Sequence, residues 1–198
     1  MRLDHEIIYK IIEPKARVLD LGCGNGDLLD KLVQGKNIKA QGIELNEDAI
    51  YKCVEKGLSV FHSDIESGLI GFPNKSNDYV ILNQSLQETR NITLVIQEAL
   101  RVGHKVIIGF PNFAQLASRS MVFFQGKVPI TKSLPYRWYN TPNLHFLSLT
   151  DFIDFCNNNK FTILEKHFLG KNKEINFLPN LFAHNGVFVI SANNNKVQ

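Results

Sequence analysis

The sequence predicts an α/β fold, a mostly parallel sheet with helices on both faces. Three observations predict it. Short apolar runs alternate with amphipathic stretches at helical spacing along most of the chain. The runs are almost continuously apolar, as strands buried on both faces are. The last two runs are joined by a connection too short for a crossover helix, so they read as an antiparallel hairpin.

The elements follow in order. Leu3, Ile7, Ile8, Ile11 and Ile12 share one face, so Asp4 to Ile12 is predicted as a helix that Pro14 punctuates. Arg17 to Leu21 is a buried strand that runs into glycines, and Asp27 to Gln34 is a helix packed through Leu28, Leu29, Leu32 and Val33. Lys39 to Glu44 is the second strand. Asn46 suits the N-cap of the next helix, Glu47 and Asp48 suit its first turn, and Gly57 suits its stop. Leu58 to His62 is the third strand, with Asp64 in the loop after it. Asp78 to Asn83, the helix Asn91 to Leu100 and the strand Lys105 to Phe110 continue the alternation. Residues 111–149 break it with four prolines, many aromatics and a basic tilt. A helix over Ala114 to Phe124 is expected there, with Phe113, Phe123 and Phe124 in the insertion's core. Arg119, Lys127 and Lys132 read as a solvated face. Thr150 to Asn158 is a helix with Thr150 as a cap, and Phe161 to Phe168 and Gly186 to Ala192 form the closing hairpin. Residues 193–198 read as a flexible tail.

At 198 residues the chain is expected to form a single domain, 1–198, with one sizeable core. Apolar residues at 44% and charged residues at 21% exclude a collagen-like, coiled-coil or wholly disordered chain. A net charge of +3 is too small to name nucleic acid as the main partner. No apolar run approaches the ~18 residues that a membrane span needs. Acids near the N-terminus do not suit a signal peptide. Cys23, Cys53 and Cys156 are odd in number and widely spaced, which argues against a disulfide framework or a metal site and for a reduced, cytoplasmic setting.

The informative segment is Val18-Leu19-Asp20-Leu21-Gly22-Cys23-Gly24-Asn25-Gly26, which follows a strand and opens a helix. The dinucleotide fingerprint G-x-G-x-x-G would put its third glycine where Asp27 stands, and a carboxylate there repels a pyrophosphate. A cofactor without phosphate fits better. S-adenosylmethionine offers a zwitterionic methionine tail, a ribose diol and adenine. Glycines let the backbone approach it closely. Asp20 can attract the ammonium, Glu44 can accept from both ribose hydroxyls, and Asp64 can accept from the adenine amine. All three acids fall at carboxyl ends of strands, where ligands of open α/β sheets bind. The alternative is a tight turn with helix-capping acids. Cys23 reads as a small buried filler, since no base stands beside it.

Asp20 to Gly26, Gly42-Ile43-Glu44-Leu45 and Ser63-Asp64-Ile65 resemble the motifs of class I S-adenosylmethionine-dependent methyltransferases. The resemblance implies a Rossmann-like, seven-stranded sheet in the order 3-2-1-4-5-7-6 with strand 7 antiparallel. It implies S-adenosylmethionine or S-adenosylhomocysteine held by Asp20, Gly22, Cys23, Gly24 and Gly26, Glu44 with Leu45, and Asp64 with Ile65. Asn83 would stand near the transferable group.

Tyr79 to Gln87, Arg101-Val102-Gly103, Gly109 to Phe113 and Val128 to His145 narrow the match. Together they resemble the bacterial MetW family of methionine biosynthesis proteins, from Arg17 to about Phe168. That resemblance implies an accessory role beside the homoserine O-acyltransferase MetX. Two departures are visible: Asn83 stands where family members often carry Ser, and the tail after Gly170 looks variable.

Methyl transfer rests on positioning, and some acceptors also need a general base. The residues offered to an acceptor or a partner are Gln84, Tyr136, Trp138, Tyr139 and His145. Gln87 cannot act as a base, and Glu88 reads as a solvated helix start. His145 is the candidate base, although a lone histidine with no placed partner also fits a structural role. Lys132 to His145 has three readings: a lid on the cofactor, a partner surface rich in hot-spot residue types, or plain packing on the sheet edge. No amine-methylation or pyrimidine-methylation motif is present. A methyltransferase acting on a small molecule or a protein is the alternative function.

Overall fold

The computed structural model describes residues 2–67 and 69–193. Residues 194–198, nearly all of the expected tail, lie outside the described residues.

Seven strands form one sheet in the order β3-β2-β1-β4-β5-β7-β6. They are β1 (Arg17–Leu21), β2 (Lys39–Glu44), β3 (Ser59–His62), β4 (Asn77–Asn83), β5 (Gly103–Pro111), β6 (Thr162–Leu169) and β7 (Asn185–Ser191). The pairs from β3 through β5 are parallel. β7 runs antiparallel to both β5 and β6, so the expected hairpin forms with β7 on its inner side.

Alternate side chains divide two cores. Leu19, Leu21, Val80, Leu82, Val106 and Ile108 point to one face. Val18, Tyr79, Ile81 and Ile107 point to the other, as a period of two requires. Helices α4 (Ile92–Val102) and α6 (Leu149–Asn158) cover the first face through Val95, Ile96, Ala99, Phe152 and Cys156. Helices α1 (Leu3–Ile11), α2 (Asp27–Lys36) and α3 (Glu47–Glu55) cover the second through Ile7, Ile8, Leu28, Leu29, Leu32 and Cys53. Asn46 caps α3 as expected, its side chain accepting from the Ala49 N–H at 3.0 Å.

Two expectations are corrected. Thr150 does not cap α6. Ser148 does, in a reciprocal capping box with Asp151 that satisfies two otherwise unpaired amides. The helix expected over 114–124 is shorter: α5 spans Leu116–Ser120 and passes into a π-helical turn, Met121–Gln125, which Gly126 ends at φ +61. Phe123 and Phe124 are 82% and 79% exposed rather than in the core, while Phe113 packs on Phe146 at 5.0 Å between ring centres.

The insertion is pinned at both ends. The Asn112 side chain is buried and donates to the carbonyls of Asn180 and Ala183, beside the one-turn helix α7 (Pro179–Phe182). Its oxygen accepts from the Ala114 N–H. Further on, the Leu144 and His145 N–H groups both donate to the Gln87 carbonyl, and the Phe113 N–H donates to Leu147.

Candidate functional site

The strand order reverses direction between β1 and β4, which opens a crevice at their carboxyl ends. The turn after β1 lines it. Gly22, Gly24 and Gly26 all have positive φ, a conformation that glycine adopts without a Cβ penalty. Their surroundings differ. A Cβ on Gly24 would meet nothing within 4 Å, because this glycine faces the crevice. A Cβ on Gly26 would press on Leu58 at 2.5 Å and Cys53 at 2.8 Å. Gly26 therefore serves the close approach of the loop to α3 and does not line the crevice.

Two adjoining cavities share Gly22, Gly24, Gln84 and Glu88 as walls. The larger, of about 620 Å³, is bounded by Glu44, Leu45, Asp64, Ile65 and Glu66, with Thr89, Arg90, Pro142 and Leu144 opposite. The other, of about 450 Å³, is bounded by Asp20, Cys23, Asn25, Asn83, Arg2, His5 and Tyr136. Each is the size of an ordinary small-ligand pocket.

Glu44 holds the first cavity's frame. Its carboxylate accepts from the Gly24 N–H at 2.8 Å and from the Leu45 and Asn46 N–H groups at 2.9 Å each. Asp64 accepts from the Glu66 N–H at 2.9 Å, which folds the loop after β3. Glu66 in turn accepts from the Arg90 and Asn91 N–H groups at the start of α4. Ser85 donates to the Leu21 carbonyl at 2.7 Å and so ties β4's exit to β1's.

Asp20 is buried at the end of β1, and its carboxyl has no hydrogen-bond donor or cation as partner among the described residues. Burial first, and then the charge of Glu44, push it up to about 7. Asn83 lines the same cavity, its amide donating to Asp4 at 3.0 Å while its oxygen is buried and unpartnered. Burial opposes ionisation of Asp4, but Arg2, at 2.7 Å, and Asn83 outweigh it, and the carboxyl stays below its ordinary value. Burial lowers His5 against the pull of Asp4. Cys23 is half-buried with its sulfur over Gly42, and burial and neighbouring acids raise its thiol, so it fills space and is no nucleophile.

The remaining candidates divide. Gln84, at φ +65, and Tyr136 reach the crevice. Trp138 and Tyr139 do not: they line a separate outer groove. His145 also stays out of the crevice, with Nε2 buried and unpartnered. Glu88 was expected at a solvated helix start. It is exposed as expected, but it ends a single 3₁₀ turn, Leu86–Glu88, at the rim where the two cavities meet, and the desolvation of its inner side and then the charge of Glu44 raise its carboxyl. Arg2, His5, Glu66 and Leu144 were not anticipated, because only the folded chain brings them to the crevice. No group of three or more His, Cys, Asp or Glu among the described residues could hold a metal ion. No helix among them is long and apolar enough to cross a membrane.

Solved structures share this architecture. An S-adenosylmethionine-dependent methyltransferase from Thermotoga maritima superposes with a TM-score of 0.67 at 19% identity, covering 96% of this chain and 89% of that one. One from Archaeoglobus fulgidus gives 0.64 at 19%, covering 96% and 90%. The [4+2]-cyclase SpnF gives 0.70 at 14%, covering 96% and 80%. These identities carry the fold, and the cyclase among them shows that the fold alone does not name a reaction. In sequence, the bifunctional methionine biosynthesis protein MetXA/MetW of Rhodopirellula baltica is 32% identical over 207 residues, covering 98% of this chain. The chain spans about a third of that relative's length. The family described as methionine biosynthesis protein MetW matches residues 2–190, which takes in the glycine loop, the proline-rich insertion and the closing hairpin together. On a class I methyltransferase fold, the chain thus belongs to the MetW family of methionine biosynthesis proteins.

Proposed function

We propose that this protein is an S-adenosylmethionine-binding accessory subunit that supports homoserine O-acylation by a MetX-type acyltransferase. The observation that carries the partner is the relative whose name joins MetXA and MetW in one chain. Fusing two modules raises their effective concentration without any new contact, which favours modules that work together. In this reading the chain acts as one domain, with residues 111–149 shared between lid and partner contact.

Two features support the cofactor. The buried Asp20 carboxyl has no cation of its own, and an ammonium fits that environment. Gly24 leaves open the space that a ribose and tail would occupy. Glu44 would accept from the ribose diol, Leu45 and Ile65 would flank the adenine, and Asp64 would accept from its amine. Asn83, Gln84 and Tyr136 would surround the methionine end. When bound, the cofactor supplies an electrophilic methyl group.

One observation favours the second reading, a methyltransferase. Glu88 stands where the two cavities meet, with its carboxyl raised, as suits a general base for a hydroxyl or amine acceptor.

The deciding experiment measures homoserine acylation by the acyltransferase of the same organism, with and without this protein. A higher rate with co-elution on a sizing column is expected. No change and no co-elution would leave the methyltransferase reading, to be pursued with labelled cofactor.

A further inference from the structure

The insertion carries a second concave surface that the ligand crevice does not use. Trp138, Tyr139, Val128 and Ile130 wall a groove of about 500 Å³, with Lys127 and Arg137 also lining it. It shares no lining residue with the two crevice cavities. Trp138 is 73% exposed, and its ring meets Tyr139 edge to face at 5.6 Å. The Arg137 guanidinium donates to the Tyr139 hydroxyl at 3.3 Å, so the groove is shaped before anything enters it. Just ahead in sequence, Phe123 and Phe124 stand exposed as an edge-to-face pair. Exposed apolar surface of this kind marks an interaction site.

The charge around it has one sign. From Asn112 to Ser148 the chain holds Arg119, Lys127, Lys132 and Arg137 and no Asp or Glu. We propose that this groove is the docking surface for the acyltransferase, receiving an apolar side chain that the partner surrounds with carboxylates. The proposal rests on the accessory reading above and adds the surface and its chemistry. Trp, Tyr and Arg are the residue types that dominate interface energies, and complementary charge governs how fast such surfaces meet. Other occupants fit less well. A second copy would bring the same cations against themselves across a two-fold axis. A lipid surface is met by convex apolar points alone, whereas Trp138 and Tyr139 wall a hollow beside the exposed Phe123 and Phe124. A single-stranded nucleic acid is held by a run of cations that tracks its backbone, and here only Lys127 and Arg137 line the hollow.

The test uses the whole chain and the purified acyltransferase of the same organism. Binding is followed by calorimetry and by association kinetics at low and high salt. The variants are Phe124→Ala/Trp138→Ala and Lys127→Glu/Arg137→Glu, all at surface positions. The aromatic pair should weaken the complex by about tenfold or more. The charge-reversal pair should slow association and flatten its salt dependence. S-adenosylhomocysteine affinity and melting temperature should stay at wild-type values in both. If the wild type binds and both variants bind equally well, the surface is wrong and the accessory reading stands. If the wild type does not bind the acyltransferase, the accessory reading fails and the proposal falls with it. Trp138-dependent binding to phosphatidylglycerol vesicles, to oligouridylate or to itself, in place of the acyltransferase, would also overturn it.

Discussion

The backbone N–H of Gly24 donates to Glu44 Oε2 across 2.8 Å, joining the turn after β1 to the end of β2. The other oxygen of that carboxylate accepts from the Leu45 and Asn46 N–H groups. One side chain thus sets two walls of the crevice. A carboxylate has about four acceptor positions, so about one remains for a ligand hydroxyl.

Glu44→Ala should therefore act twice. Three amides lose their acceptor, which lowers the melting temperature. The ligand loses one charge-assisted bond, to one hydroxyl of the diol rather than to both, worth roughly 1.5–3 kcal/mol, about 10- to 150-fold in affinity. Calorimetry with S-adenosylhomocysteine checks this, and wild-type affinity in the variant would remove Glu44 from the diol.

Asp20 gives a pH dependence with a definite sign. Its carboxyl is pushed up to about 7 by burial and by Glu44, from an ordinary 3.8. Between those values the folded protein holds a proton that the unfolded chain has released. Stability without ligand should fall as pH rises through that window. Ligand affinity should move the opposite way, rising through about pH 7 as the carboxylate forms to meet the ammonium. Asp20→Asn should flatten both curves and weaken binding. Urea melts and titrations from about pH 5 to 8 check it, and a flat wild-type affinity curve would separate Asp20 from the ammonium.

The insertion touches both surfaces. Tyr136 lines the cavity beside Asp20, and Pro142 and Leu144 wall the cavity beside Glu44. Trp138 and Tyr139, between them in sequence, wall the outer groove. A ligand in the crevice gives this segment a surface to pack on, so S-adenosylhomocysteine should tighten acyltransferase binding. Allosteric couplings of this kind run to about 5- to 150-fold, and linkage makes the effect reciprocal. Leu144→Ala should reduce it while leaving the groove intact. Titrations of each ligand in the presence of the other measure it, and equal affinities would mean the two surfaces act independently.

What could be read in advance followed the range of the interactions. The glycine loop, the acids at the strand ends and the Asn46 cap depend on neighbours in sequence, and their positions were legible. The Asn112 anchor was not, since its partners are Asn180 and Ala183 on the far side of α6 and β6. Ser148 could have been found: Ser148-Leu149-Thr150-Asp151 is a capping-box spacing with Asp in place of Glu, and Thr150 drew attention from it. Phe123 and Phe124 looked like core because apolar periodicity assumes a uniform helix, and the π turn at Met121–Gln125 breaks that assumption. Glu88 reaches the crevice because the chain turns at once through Leu86–Glu88 after β4, before α4 begins.

The last two glycines of the loop after β1 can be separated by one methyl group each. Gly24 and Gly26 both sit at positive φ, +53 and +74, so alanine at either carries a backbone penalty of roughly 1–2 kcal/mol. At Gly26 the added carbon also drives into Leu58 and Cys53, neither of which can move without disturbing the packing of α3. Overpacking of this kind adds roughly 1–3 kcal/mol. At Gly24 the carbon enters open space in the crevice. Gly26→Ala should therefore lower the denaturation midpoint more than Gly24→Ala does, with little loss of ligand affinity in the fraction that stays folded. Gly24→Ala should keep most of its stability and lose most of its affinity for S-adenosylhomocysteine. Urea denaturation and calorimetry on both variants check the pair. Equal losses of affinity would mean that the loop acts as one backbone unit, and the division of labour between the two glycines would be wrong.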